Sequence, residues 1–282
     1  MINLSKMELY FQEIAEKLNK AYEVAVKARA LGYEPLPNVE IPLAKDMAER
    51  VEGLISIISP QIMNKGIPQR IHELEKIYGI LDWRVALKIA EEVAEERFCR
   101  FDSKLLAIEI GIRVGFAYLT LGTVSSPLEG FASIKIRKRM DGKEYFSIYY
   151  AGPVRSAGGT AASVSVLIAD YLRKKFGYSE YDPSEEEILR AITEIYDYHE
   201  RVTNLQYLPS EKEIEFLIKH LPVQIDGNPS EDIEVSNHKD VSRIETNRIR
   251  NGPCLIICEC IAQKSPKLWT QLSKWGNEFN LM

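Results

Sequence analysis

The spacing of apolar positions divides the chain into segments of different character. Ser5 and Glu8 form a capping-box pattern, and Ile14, Leu18, Ala21, Tyr22, Ala25 and Ala28 then recur at helical spacing until Gly32. Pro35, Pro37 and Pro42 follow within Tyr33 to Leu43. Proline removes a backbone donor and disfavours helix before it, so a stiff extended connector is expected. A helical block comes next. Met47, Val51, Leu54, Ile55 and Ile58 make one stripe, and Pro68 starts a helix with Ile71, Leu74 and Ile77 that Gly79 closes. Asp82 caps a third helix, and Asp102 or Ser103 caps a longer one that runs to Gly122. Short connections between them suggest antiparallel neighbours in a bundle.

The period changes at Gly130. Ile134 and Ile136 alternate with Lys135 and Arg137, Asp141-Gly142 is a hairpin turn signal, and Glu144 to Tyr150 reads as the return strand. A two-residue turn there sets Arg137 opposite Phe146 and Lys138 opposite Tyr145. Gly152 to Thr160 is a glycine-rich loop that opens a helix ending at Gly177. Asp182-Pro183-Ser184-Glu185 starts a helix carrying Ile188, Ile192 and Ile195, and Ser210 with Glu213 caps another. A polar, extended stretch runs from Asp226-Gly227 to Asn251. Cys254 to Ile261 is apolar enough for a buried strand or helix, and Ser265-Pro266 begins a last helix with Leu268, Trp269, Leu272 and Trp275. The expected fold is α+β and mainly helical: a bundle-like N-terminal part, a small antiparallel β element, and further helices. The expected organisation is an arm at 1–32, a connector at 33–43, a helical subdomain at 44–122 and an α+β subdomain at 123–282. The apolar tip at Leu281-Met282 has no stop signal and suggests truncation.

Composition is ordinary for a globular chain: 45% of the 282 residues are hydrophobic and 27% charged, with a net charge of −5. No apolar run approaches the ~20 residues that span a bilayer, and the first ten residues hold no secretory apolar region, so an intracellular, cytoplasmic setting is expected. Cys254, Cys258 and Cys260 are spaced C-x3-C-x-C, which matches no common zinc pattern. With Cys99 they read as small hydrophobes, and no metal site is expected.

Candidate chemistry is therefore cationic. Lys135, Arg137, Lys138, Arg139 and Lys143 stand beside Tyr145, Phe146, Tyr149 and Tyr150, a combination that suits backbone tracking with stacking platforms; a charged edge strand gives the same pattern. In the loop, backbone amides at Gly158 and Gly159, hydroxyls of Ser156 and Thr160, and the Arg155 guanidinium suit a phosphate. A tight turn for close helix–strand packing is the alternative. Arg243, Arg248 and Arg250 form a third cluster, open to phosphate contact or to pairing with Glu231, Asp232, Glu234 or Glu245. Catalytic patterns are sparse. Asp197, His199 and Glu200 form a tempting set, but i and i+2 on a helix do not share a face. No Asp-x-Asp pair occurs, so no catalytic residue is assigned.

Several strings are distinctive together. They are Tyr150-Ala151-Gly152-Pro153-Val154-Arg155-Ser156-Ala157-Gly158-Gly159-Thr160-Ala161-Ala162, then Arg243-Ile244-Glu245-Thr246-Asn247-Arg248-Ile249-Arg250-Asn251-Gly252, and Gln263-Lys264-Ser265-Pro266-Lys267-Leu268. The chain resembles, from about Ala44 to Trp275, the N-terminal region of the large subunit of archaeal family D DNA polymerases. Asn251 stands where the family motif usually has a second glycine. The resemblance implies a longer subunit that works as a DNA-directed DNA polymerase with Mg²⁺ held by aspartates further along. It also implies a small partner subunit with 3′–5′ exonuclease activity. This region would bind the primer–template backbone, help assembly with the rest of the large subunit or as a homodimer, and be inactive alone. A purely structural or oligomerisation module without DNA contact is the alternative.

Overall fold

The computed structural model describes residues 5–33, 44–120 and 125–281. The expected connector falls largely outside these residues, and the long helix expected to run to Gly122 ends earlier, at Leu119, where Thr120 turns extended. Helix α1 (Lys6–Ala30) has the Ser5–Glu8 capping box, ends before Gly32 in the left-handed region, and buries none of its residues. Four helices follow: α2 (Met47–Ser56), α3 (Ile67–Tyr78), α4 (Trp83–Ala94) and α5 (Lys104–Leu119). Asp46, Asp82 and Ser103 accept the free amides at the starts of α2, α4 and α5.

Helix α5 is apolar around most of its circumference and is buried accordingly. It packs on α2 and α4 and also against α6 (Gly159–Lys175) and strand β1 (Phe131–Lys138), so one hydrophobic core runs from Ala48 to Phe279. The end of the chain closes the same core: Phe279 packs edge-on or tilted against Tyr78, Tyr171 and Trp275, and Trp275 edge-on against Trp83. Arg113, on α5 and 4% exposed, joins helices to sheet. Its guanidinium donates to the carbonyls of Pro127, Leu128, Phe131 and Ala132 and pairs with Glu109 at 2.7 Å. Those carbonyls lie at the start of β1 and in the turn before it, where an unpaired polar group would be costly to bury.

The sheet has three strands in the order β1-β2-β3. Strand β2 (Glu144–Tyr150) pairs antiparallel with β1 and parallel with β3 (Gln224–Asp226). The hairpin differs from the sequence expectation by one residue: Arg137 faces Tyr145 and Lys138 faces Glu144. Asp141 caps the amide of Lys143, Gly142 takes the positive φ (+83°), and Arg139 N donates to Lys143 O, which gives a three-residue loop rather than a two-residue one. A one-residue shift exchanges faces. Ile134, Ile136, Phe146 and Ile148 now share the core face, and Lys135, Arg137, Tyr145, Ser147 and Tyr149 share the other.

Helices α7 (Glu185–Arg201) and α8 (Glu211–His220) both begin in capping boxes. The cap of α7 is Ser184 with Glu187, not Asp182, because Asp182 accepts from Arg243 instead. Residues 227–250 hold little regular structure beyond a bridge between Glu234 and Arg248. The cysteine-bearing run is helical, in a continuous rod of α9 (Asn251–Leu255), a π-helical stretch (Ile256–Ala262) and α10 (Gln263–Trp275). Pro266 lies inside α10 rather than starting it. It cannot donate to Ala262 O, and the Ser265 hydroxyl fills that place at 2.9 Å.

The start of the rod touches β2 so closely that a Cβ at Gly252 would stand 2.0 Å from Tyr150 O. Gly252→Ala is therefore expected to cost about 2–3 kcal/mol or more in urea unfolding. Gly53→Ala in α2, where a Cβ meets nothing within 4 Å, is expected to gain up to about 1 kcal/mol.

Candidate nucleic-acid interface

The non-core face of the hairpin is not open. The segment Arg243–Glu245 lies across it. Arg243 sits over the rings of Tyr145 and Tyr181 at 5.5 and 5.4 Å, and donates to Asp182 and Glu187 at 2.6 and 2.5 Å. Glu245 accepts from Lys135 at 2.8 Å and from Arg137 at 2.9 Å. The Lys135 hydrogen bond, with Arg137 beside it, holds the Glu245 carboxyl below its ordinary range although partial burial opposes this. Tyr145, Phe146, Tyr149 and Tyr150 are at most 2% exposed, so they pack the interior and offer no stacking surface. Burial pushes the Tyr145 hydroxyl up to about 12.

A buried charge cluster lies beneath. The Arg250 guanidinium, on the end of the irregular segment, binds Glu194 of α7 through two nitrogens (3.0 and 2.5 Å) and Asp226 of β3 through the third (2.5 Å). Burial works against the Arg250 charge, but the two carboxylates outweigh it and leave its pKa above the ordinary arginine value. Arg190, fully buried, lies 3.4 Å from Glu194 and donates to Arg248 O, and Arg137 reaches Asp226 at 3.5 Å. The first and third cation clusters of the sequence thus meet on shared carboxylates.

The remaining expected contacts are distributed as follows. Arg139 lies within 3.5 Å of Asp141 and Asp182, Lys143 within 3.3 Å of Asp141, and Arg248 within 3.0 Å of Asp232 in an exposed pair. Among the expected cations Lys138 alone has no ion pair with the described residues. His199 Nδ1 accepts from the Leu205 amide, while Asp197 accepts from the Ser236 amide and pairs with Arg201, so both tie loops to α7. Among the described residues no group of three or more His, Cys, Asp or Glu could hold a metal ion.

The glycine-rich loop behaves differently. Gly152–Ala157 forms a 3₁₀ turn, Ser156 Oγ bonds Ser126 Oγ and Pro153 O, and Gly158 has φ +79°. Helix α6 starts at Gly159 with no side-chain cap, so its first amides keep free donors and the positive end of the helix dipole. They face a cleft of about 500 Å³ lined by Leu81, Trp83, Leu119, Gly158–Ala161 and two lysines, Lys264 and Lys267. Neither lysine has an ion pair among the described residues. Both stand three apart on α10, the spacing that puts side chains on one helical face. That spacing was visible in the sequence, yet the two lysines were not singled out there as phosphate contacts. Arg155 turns to Glu259 of the π-helical stretch at 2.8 Å.

Comparison with known proteins decides the family. Residues 9–279 match the family model described as DNA polymerase II large subunit DP2, N-terminal. The chain belongs to that family. It is 53% identical over 273 residues to the DNA polymerase II large subunit of Nanoarchaeum equitans, covering 97% of this chain and 22% of that protein. For the Methanosarcina barkeri subunit the identity is 45%, covering 95% and 23%. For the Pyrococcus abyssi subunit it is 44%, covering 97% and 18%. The chain thus spans about a fifth of the length of these relatives. No helix among the described residues is long and apolar enough to cross a membrane.

Within this family framework, Arg250→Met is expected to cost about 3–5 kcal/mol in chemical denaturation, because Glu194 and Asp226 would stay buried without their partner. Lys138→Ala is expected to change stability by less than about 0.5 kcal/mol.

Proposed function

We propose that this chain is the N-terminal DNA-holding and assembly region of the large subunit of an archaeal family D replicative polymerase. In this reading it contacts the sugar–phosphate backbone and carries none of the catalytic carboxylates. The observation that carries the reading is the cleft at the start of α6, where uncapped amides of Gly159, Thr160 and Ala161 converge with Lys264 and Lys267. Oriented amides and unpaired ammonium groups suit a phosphate and read no base. Lys138 adds an exposed cation at the hairpin tip. Arg137, Arg139, Arg243 and Arg250 serve chiefly to hold the fold, since each is largely buried against a carboxylate, whereas Lys135, Lys143 and Arg248 sit in exposed pairs that contribute little.

The relatives' name, DNA polymerase II large subunit, supports polymerisation by the complete subunit. We extend the proposal to Mg²⁺-dependent nucleotidyl transfer in later parts of that subunit and to a small partner subunit with 3′–5′ exonuclease activity. The unburied helix α1 is available for self-association or for docking on the rest of the large subunit.

A second reading is favoured by the internal pairing of most cations: a purely structural module that packs on the polymerase core without touching DNA. Fluorescence anisotropy with labelled primer–template DNA over a salt series separates the two. The DNA-holding reading predicts salt-dependent binding whose log–log slope falls by about 2 in Lys264→Ala/Lys267→Ala. Absence of binding at low salt would select the structural module.

A further inference from the structure

A small cavity of about 30 Å³ lies where α7, α8, β3 and the start of the terminal rod meet. Glu187, Glu194, Gln224, Arg250 and Tyr181 line it beside apolar side chains. The space suits about one or two water molecules. One polar atom of the lining lacks a partner. Glu187 is 2% exposed, and its Oε2 accepts from the Ser184 amide at 2.7 Å and from Arg243 Nη2 at 2.5 Å. Its buried Oε1 has no hydrogen bond among the described residues. A carboxylate oxygen taken out of water is costly unless something donates to it. Gln224 and Arg250 are already engaged, the first by Tyr145 and Arg243 O, the second by Glu194 and Asp226. The Tyr181 hydroxyl stands by the same carboxylate. Burial first, and then the Glu187 charge, push it well above its ordinary range, so it keeps its proton and can donate.

We infer that this cavity is a built hydration site, in which a water molecule donates to Glu187 Oε1 and accepts from the Tyr181 hydroxyl. The volume excludes a larger ligand, and the charges favour a neutral one. Glu187 is offset by Arg243 and Glu194 by Arg250, so the lining offers no net charge for an ion to balance. The role of the water is structural. It completes the carboxylate that seats Arg243, and Arg243 in turn seats the irregular segment across the sheet. A buried water that meets an otherwise unpaired group is costly to remove, so it acts as part of the fold. This inference is independent of the phosphate reading of the cleft at the start of α6.

The direct test is a crystal structure of this chain at a resolution that shows ordered water. Density for a water within hydrogen-bonding distance of Glu187 Oε1 and the Tyr181 hydroxyl is expected. A cavity without density, or one closed by a side chain that itself donates to Oε1, would overturn the inference. Ala191→Val supplies a second readout. Ala191 is half-buried and lines the cavity, so two added methyl groups take up the space. Filling a dry cavity raises the melting temperature, whereas displacing a needed water leaves Oε1 without a donor and lowers it. The expected result is a fall of about 2–4 °C, together with the loss of one long-lived water in oxygen-17 relaxation dispersion of the folded variant. Steric strain alone would lower the melt without changing the number of long-lived waters. A raised melting temperature, or an unchanged number of waters, would count against the site. If the variant does not fold, the density in the wild-type crystal decides.

Discussion

The contact of Arg250 with Glu194 and Asp226 is the constraint on which the second half of the molecule depends. It joins three pieces distant in sequence: helix α7, strand β3 and the end of an irregular segment of more than twenty residues. That segment has almost no ladder of its own. Its path is set by side chains: Arg250 at its end, Arg243 on Asp182 and Glu187, Glu245 under Lys135 and Arg137, and the Ser236 amide on Asp197. Two carboxylates and a guanidinium could be replaced in principle by apolar groups of equal volume, but apolar packing would not specify one register of an irregular chain. Directional pairs do. Once the segment is seated, it covers the polar face of the sheet, β2 becomes an interior strand, and Gly252 can bring the terminal rod against Tyr150.

The same arrangement bears on where the proposed phosphate contact lies. Cations that a linear reading places on one DNA-tracking surface are instead turned inward or paired at its rim. The molecule has a net charge of −5, so an attractive surface has to be local. In the proposed reading the start of α6 provides one. Amides of a seventeen-residue helix, two lysines of α10 and an apolar wall of Leu81, Trp83 and Leu119 come together because α5, α6 and the rod share one core. Glu259 connects this site to the loop ahead of it, as the buried cluster connects the sheet to the segment above it.

Local signals in the sequence carried far. Capping boxes at Ser5 and Ser210, caps at Asp82 and Ser103, and the left-handed glycines closing α1 and α3 all stand where short-range chemistry puts them. Long-range pairing was the harder part. The hairpin register turned on whether Asp141-Gly142 forms a two-residue turn or belongs to a three-residue loop, and the composition is the same for both. Strand β3, three residues long, has no period to detect. Nothing local in the sequence marks Arg113 as the group that satisfies the carbonyls at the start of β1 and in the turn before it. Lys264 and Lys267 needed the position of α6 before their spacing meant anything. Arginine-rich strings state that a charge partner exists, and only the fold shows whether the partner is a carboxylate or a phosphate.

The most direct test of the account is amide hydrogen exchange of this chain with and without primer–template DNA, resolved at single residues. The account predicts slowed exchange at Gly159, Thr160 and Ala161, with little change along Lys135–Arg137 and Arg243–Glu245. Protection concentrated on the hairpin and the arginine-rich segment, with none at the start of α6, would contradict it.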